Sequence, residues 1–409
     1  MLQQFKLAFR NLNRNRRRSI LSGLAISLGL ALILLIAAIV RGEMVGSIAK
    51  TIQLSSGHIQ IRSSEYIEGK SSLKWSDLVA DPQSIIDTLE GSSSLNDLIQ
   101  VATPRLNASA VVSSGNDSIG VQLLGVDPTS AANQPFVEGI TAGSFLSQDD
   151  GNSIVIGQLL ANKLQINIGD SINLLVNTSN GDVNEQKFTV RGLYTTRTPT
   201  YDESTILMTM EKVQTITSTQ DHATSIFILL NDRDDADLVA SAISGAGYEV
   251  LTWKDMNQLL LDTEELANSF MIIIYLIVLA ITATVIVNTL IMSVFERTRE
   301  IGILAAVGMK GRQILGLFLA EASILAVGGI AFGLALGWLV CQYFAKFGFA
   351  IGDMGINSEM LFGDRIYAVL TGGDTLYLTI LAFIVTMIAS LYPAILAARL
   401  EPVDALHGK

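Results

Sequence analysis

Residues 295–310 read FERTREIGILAAVGMK, a charged island set between two long apolar runs at 270–294 and 314–344. Hydrocarbon cannot satisfy backbone N–H and C=O groups, so a chain crosses a bilayer as a helix of about 20 apolar residues. Both flanking runs meet that length. Further outward, residues 20–40 and 376–398 meet it as well, which makes four spans. The whole chain agrees: 49% of its 409 residues are hydrophobic and only 16% are charged, and the mean hydropathy is +0.44. A water-soluble protein could not bury that much apolar surface.

Orientation follows from charge. Residues 1–18 contain Lys6, Arg10, Arg14, Arg16, Arg17 and Arg18 and no acid, so the positive-inside rule places this end in the cytoplasm. The first run exceeds a usual signal-peptide core and lacks an obvious small-residue cleavage site after it, so it is expected to remain as an anchor. Four spans then return the C-terminus to the cytoplasm. The link after span two carries Arg297, Arg299, Lys310 and Arg312, as a cytoplasmic link should, and the link after span three carries only Lys346 and Arg365. The expected map is a basic N-terminal helix at 1–19, spans at 20–41, 267–294, 314–344 and 374–398, a large outer insert at 42–266, a cytoplasmic segment at 295–313, an outer loop at 345–373 and a cytoplasmic tail at 399–409. The chain is thus expected to be a multi-pass protein of the cytoplasmic (inner) membrane with both termini inside.

The insert is acidic, with 12 Lys and Arg against 29 Asp and Glu; that keeps a domain dispersed and excludes nucleic acid as a partner. Segments 58–61, 119–124, 153–156 and 225–230 alternate as half-buried strands, whereas 85–89, 157–164 and 238–243 have helical spacing, so the insert is mixed α/β. Residues 172–176 and 186–194 flank Asn177-Thr178-Ser179-Asn180-Gly181-Asp182. Asn180-Gly181 supplies the positive φ angles of a tight turn, so this is a β-hairpin, either an ordinary one inside a small barrel or an arm that contacts a partner. Acids in Thr263-Glu264-Glu265 favour a helix N-terminus there, which would run the insert into span two as one helix.

Several chemistries are excluded. Cys341 is the one cysteine and lies in an apolar run, and His58, His222 and His407 have no ligand spacing, so no metal site is expected. No G-x-x-x-x-G-K-[ST] loop is present; these residues bind no cofactor, and any ATP hydrolysis, with its Mg, belongs to another polypeptide. No nucleophile, base or metal cluster marks the insert as an enzyme. Glu321 near the start of span three is the main ionisable group within the spans and Asn288 a lone amide in span two, too few for a proton relay or ion path. Gly329, Gly333 and Gly337 recur every fourth residue of span three, a small-residue face for close helix packing, within the chain or at a subunit interface.

The run Glu296-Arg297-Thr298-Arg299-Glu300-Ile301-Gly302-Ile303-Leu304-Ala305-Ala306-Val307-Gly308-Met309-Lys310 closely resembles the cytoplasmic signature of the FtsX/MacB permease family, the type VII ABC transporters. Ala8-Phe9-Arg10-Asn11-Leu12 with Asn15-Arg16-Arg17-Arg18 resembles the family's N-terminal helix. Tyr392-Pro393-Ala394 and Ala397-Ala398-Arg399-Leu400-Glu401-Pro402-Val403-Asp404-Ala405-Leu406 resemble its closing motif, so the likeness covers essentially the full chain. Ser56-Gly57-His58-Ile59-Gln60-Ile61, Gly125-Val126-Asp127-Pro128, Ile156-Gly157 with Gly169-Asp170, and Tyr201-Asp202-Glu203-Ser204 are most similar to the lipoprotein-releasing LolC/LolE branch. These residues lack the ATPase domain that MacB carries at its N-terminus, and the insert is much larger than the outer domain of cell-division FtsX.

The resemblance implies an outer domain in two parts, a porter-like module at about 42–130 and 205–266 and a β-rich, sabre-like module at about 131–204. It implies two paired permeases, each docking an ABC ATPase subunit through a coupling helix made by the island, with Glu296, Arg297, Thr298, Arg299, Glu300, Ile301, Gly302, Leu304, Gly308 and Lys310 as its residues. The residues give this a physical basis: charge at the membrane face, an apolar stripe of Ile301, Leu304 and Ala305, and glycines for close approach or a helix end. With no conduit visible, ATP would move the outer domain mechanically, to release or export a lipoprotein or other amphiphile with membrane lipid and an extracytoplasmic chaperone as further partners. The alternative is an FtsX-like regulator of a cell-wall hydrolase, or a permease for antimicrobial-peptide sensing or resistance.

Overall fold

The structure is a computed structural model that describes residues 2–14, 16–67, 73–114, 117–244, 247–350 and 365–400. Residues 351–364 of the loop expected after span three, Asn15, and the closing residues Glu401, Pro402, Val403, Asp404, Ala405 and Leu406 lie outside the described residues. The chain divides into two compact units, a helical one of Met1–Val45, Thr263–Ala350 and Arg365–Lys409, and an inserted one of Gly46–Asp262 with Ile351–Asp364.

In chain order the main helices are α1 (Leu2–Arg14), α2 (Arg16–Thr51), α3 (Pro82–Glu90), α4 (Gln158–Leu164), α5 (Met210–Thr217), α6 (Ala236–Ile243), α7 (Gln258–Glu296), α8 (Thr298–Ala306), α9 (Gly311–Phe347) and α10 (Gly372–Ala398). The main strands are β1 (Ile59–Arg62), β2 (Ile99–Ser114), β3 (Asp117–Val126), β4 (Ile140–Gly143), β5 (Ser153–Gly157), β6 (Ser171–Asn177), β7 (Val183–Tyr194), β8 (Thr205–Thr209), β9 (Ser225–Leu230) and β10 (Glu249–Thr252).

Four helices of the described residues are long and apolar enough to cross a membrane, and each of the four apolar runs lies inside one of them, in α2, α7, α9 and α10. Their mutual faces are narrow. Ile26, Leu30, Ile33, Leu34 and Ala37 of α2, at helical spacing, meet Leu279, Ile286 and Leu290 of α7, Ala322, Ala326 and Ile330 of α9, and Leu378 and Ala382 of α10. The other faces stay apolar and exposed, as with Ile273, Ile277 and Ile281 on α7, which suits helices whose solvent is lipid. The helix of span two begins at Gln258, ahead of the Thr263-Glu264-Glu265 start expected from its acids. Leu260 and Leu261 pack on the core of the inserted unit, and that apolar contact extends the helix by more than a turn.

The inserted unit has a ten-stranded sheet that does two jobs. Strands β10, β1, β9 and the first half of β2 pair antiparallel as an open sheet. Ile59 and Ile61 of β1 and Ile226, Ile228 and Leu230 of β9 face one core with Ile86 and Leu89 of α3 and Val239 of α6, but Gln60, Ser225 and Phe227 on the other face are buried too, so these strands are covered on both faces rather than half-buried as their sequence predicts. The second half of β2 pairs β3, β3 pairs β8, β8 pairs β5, β5 pairs β7, β7 pairs β6, and β6 returns to β2. This ring of six strands is a closed barrel, which leaves no open edge. Leu106, Ala108, Ala110 and Val112 of β2, Ile172, Leu174 and Val176 of β6, and Phe188 and Val190 of β7 fill it at every second residue, and Val213 and Ile216 of α5 with Leu160 and Leu164 of α4 pack on that core.

β2 changes neighbours at Leu106: its residues up to Arg105 pair β9, and those from Leu106 on pair β3. Sixteen residues of β2 serve both layers, and no composition shift marks the point where one strand changes neighbours. Phe188 is 1% exposed at the barrel centre; Phe188→Ala is expected to cost about 3–5 kcal/mol, seen as a lowered unfolding midpoint of the inserted unit in hydrogen-exchange or thermal measurements.

Candidate functional site

The island folds as a break between two spans. α7 ends at Glu296, Arg297 takes a non-helical conformation (φ −109°, ψ 11°), and α8 restarts at Thr298. The Thr298 hydroxyl donates to the Phe295 carbonyl at 2.9 Å. Gly308 stands at φ +99°, a left-handed conformation that favours glycine, and it turns the chain back into α9. There the Lys310 N–H donates to the Gln313 side chain at 2.9 Å.

The charges of the island are engaged within the helical unit. Arg297 is 7% exposed and Glu321 of α9 is 3% exposed; the Arg297 guanidinium donates to both Glu321 oxygens at 3.0 and 3.3 Å and to Glu300 at 3.1 Å. Asn11 of α1 donates to the same Glu321 carboxylate at 2.8 Å. Arg14 pairs with Glu300, and Arg18 at the start of α2 pairs with Glu296. Burial would lower the Arg297 guanidinium, but the charges and hydrogen bonds of Glu321 and Glu300 together outweigh it and raise it above its ordinary range. Burial would likewise raise the Glu300 carboxyl, yet bonds from Arg14 and Arg297 hold it below the usual carboxylate range. One knot of charge thus ties α1, α2, α8 and α9 together. Breaking the Arg297–Glu321 pair would leave a buried ion without its counter-charge, whereas the Arg14–Glu300 and Arg18–Glu296 pairs are solvent-exposed.

The apolar stripe of the island faces inward. Ile301 and Gly302 are buried, and Ile301, with Leu304 partly exposed behind it, lies among Val294, Ile314, Phe318, Ala394 and Ala397. The outward face holds other residues. Val307 is 84% and Ile303 48% exposed, beside exposed Ala306 and Gly308, with exposed Arg299 and Lys310 from the same segment. Val307 and Ile303 are four residues apart, one turn of helix, and escape a reading that takes the strongest apolar stripe as the contact. The partners Asn11, Arg14 and Arg18 also escaped it, because side-chain pairing across some 300 residues of sequence has no local signal.

The glycine face of α9 packs within the chain. A Cβ built at Gly329 would stand 2.8 Å from Ile26, at Gly333 2.9 Å from the Ser27 carbonyl, and at Gly337 2.9 Å from Leu34, all on α2. The hairpin turn is tied down rather than projecting freely. β6 pairs β2 as well as β7, and Ser179 donates to the Thr217 and Ser218 carbonyls at 2.8 and 2.6 Å. Asn177, Asn180, Gly181 and Asp182 are exposed around that anchor. Asn288 is exposed on α7.

Comparison with known proteins adds the family. The MacB-like periplasmic core domain matches residues 19–246, and the FtsX-like permease C-terminal region matches residues 272–402. The chain is similar to the lipoprotein-releasing system transmembrane protein LolC of Neisseria meningitidis, 25% identical over 76% of this chain and 78% of that protein. It is also similar to the macrolide export ATP-binding/permease protein MacB of Campylobacter fetus, 24% identical over 99% of this chain and 60% of that protein, so it spans about three fifths of that relative's length. Among solved structures, the periplasmic region of MacB from Actinobacillus actinomycetemcomitans aligns with a TM-score of 0.35 and 16% identity, over 52% of this chain and 97% of that one.

Proposed function

Because the chain belongs to the family of ABC transporter permeases that pair a MacB-like periplasmic core domain with an FtsX-like C-terminal region, we propose that it couples ATP hydrolysis on a separate subunit to movement of its inserted domain. The observation that carries this is the exposed tip of α8, where Ile303 and Val307 stand out to solvent while every acid of the island is held in an ion pair. An apolar knob with a basic rim fits a groove on the cytoplasmic ATPase, which would hold the ATP and Mg. The push received at α8 then travels through Arg297 and Glu321 into α9 and through Asn11 into α1, as rigid parts joined by buried polar bonds. Both termini are assigned to the cytoplasm on this reading. The exposed amide of Asn288, inside the apolar run of α7, suits a contact with a second permease copy, since an amide facing lipid has no partner there.

The similarity to LolC, whose name records lipoprotein release, favours a lipoprotein or another amphiphile as the molecule handled. No ionisable path crosses the described spans, which favours mechanical transmission over a polar conduit. The test is reconstitution of the permease in nanodiscs with the ATPase encoded beside it, and measurement of ATP hydrolysis with and without a triacylated lipoprotein. Val307→Asp places a charge where an apolar contact is expected. That costs at least about 2 kcal/mol, so ATPase binding should weaken about thirtyfold while the permease itself stays folded. Unchanged ATPase binding by Val307→Asp sinks the assignment of the docking face. Strong coupling that ignores every lipoprotein moves the function to the regulator of a cell-wall hydrolase.

A further inference from the structure

Strand β2 carries Val101, Thr103 and Arg105 on one face, at the two-residue spacing of a pleated strand. Val101 lines a cleft of about 640 Å³ in the inserted unit, whose polar wall includes Lys50, Gln53, Gln100, Gln134, Thr196 and Arg197. Farther along the same face, Arg105 is 2% exposed. Its Nη1 donates to the Leu54 carbonyl at 2.8 Å, its guanidinium lies 3.4 Å from the centre of the Phe227 ring, and Leu54 is itself part of the cleft wall. Arg105 Nε and Nη2 and the Thr103 hydroxyl are buried with no hydrogen-bond partner, and no carboxylate of the described residues pairs with Arg105. A buried cation of this kind costs free energy unless an anion or further acceptors offset it. Burial pulls this guanidinium down to about 10, against a smaller opposing effect of Tyr201.

The rim of the cleft is also built. Arg197 stands at φ +58°, a conformation that costs a non-glycine residue free energy and persists only where the surroundings impose it. Here Asp202 imposes it. Its 1% exposed carboxylate accepts from the Thr195 hydroxyl at 2.7 Å, the Thr196 N–H at 2.9 Å and the Thr196 hydroxyl at 2.7 Å, fixing the turn that presents Arg197. Lys50 donates to the Arg197 carbonyl at 3.3 Å, which brings a second cation to the rim. Among the described residues one carboxylate lines the cleft, Glu138, and Gln134 holds it at 2.7 Å. The Gln53 and Gln100 amides complete a donor-rich wall.

We propose that this cleft binds a phosphate-type oxyanion, with Arg197 and Lys50 as its direct ligands and buried Arg105 supplying the field behind them. The cleft exceeds a bare phosphate in volume, so a phosphate on a polar head group fits better than the free ion, and both sources share the chemistry that the residues recognise. The proposal does not depend on the ATP-coupling contact.

The experiment uses the full chain in phosphatidylcholine nanodiscs, titrated by calorimetry with inorganic phosphate and with glycerol 3-phosphate. A second arm compares the thermal midpoint of the chain in phosphatidylcholine and phosphatidylglycerol nanodiscs. Saturable binding of a soluble anion, or stabilisation by phosphatidylglycerol, supports the site. The first alone points to a soluble phosphate and the second alone to a lipid head group. Arg197→Gln should weaken the response about tenfold, and so should Lys50→Gln. Arg105→Gln should weaken it further; if that variant fails to fold, the two rim variants decide. Absence of a response in both arms, or a response that neither rim variant changes, overturns the proposal.

Discussion

Arg297→Ala is expected to destabilise the helical unit by about 3–5 kcal/mol, because it strands the buried Glu321 carboxylate without its counter-ion. The geometry leaves little room for rescue. Glu321 is 3% exposed and, among the described residues, would keep the Asn11 amide alone. Glu321→Ala should cost a similar amount by stranding Arg297. A double variant, Arg297→Met with Glu321→Leu, separates stability from coupling: apolar pairs of similar volume replace buried ion pairs at little cost or with a gain. The double variant should therefore recover most of the thermal midpoint in nanodiscs. Stimulation of the partner ATPase by substrate should stay lost, since the directional bonds joining α8 to α9 and α1 are gone. Full recovery of stimulation in the double variant would show that the pair is only structural.

Gly333→Leu is the second large effect. A Cβ at Gly333 already meets the Ser27 carbonyl at 2.9 Å and the α2 backbone at 3.0 Å, so a leucine must push α9 away from α2. Overpacking of this kind costs about 1–3 kcal/mol or more, and in lipid the lost close contact is also lost helix association. The expected result is a lower thermal midpoint and proteolytic exposure of the α2–α9 contact, with Gly333→Ala milder. Gly328 gives the control, because nothing lies within 4 Å of a Cβ built there; Gly328→Leu should be tolerated. Equal effects at both positions would mean that the glycine face is not the contact between spans one and three.

Much of this architecture was legible along the chain. Apolar runs of span length must become helices in hydrocarbon, because no other structure satisfies their backbone. The segments 153–156 and 225–230 are strands as their pattern predicts, but buried on both faces rather than one, and Asn180-Gly181 forms the expected turn. The family likeness rested on the island and both ends; the FtsX-like match covers the island and the closing motif as far as residue 402, and the MacB-like match begins at residue 19, after the N-terminal motif. The face of the island was less legible. Ile301, Leu304 and Ala305 form the clearer apolar stripe, but an apolar stripe says that a face is buried, not by what. Here Phe318 and Ala394 of neighbouring spans cover it, and the residues left outside are Ile303 and Val307.

The sequence by itself determined four membrane helices, a mixed α/β insert and a charged link between spans two and three, since each follows from local periodicity and from the cost of unsatisfied backbone. Only the tertiary structure decided which charges meet. Asn11, Arg297 and Glu321 stand far apart in sequence and meet at one carboxylate in space, Arg105 ends beside Phe227 with no acid of the described residues paired to it, and β2 changes neighbours in mid-strand. Those outcomes depend on which helix faces pack together and where strands cross, and such long-range contacts leave no mark on the residues beside them in the chain.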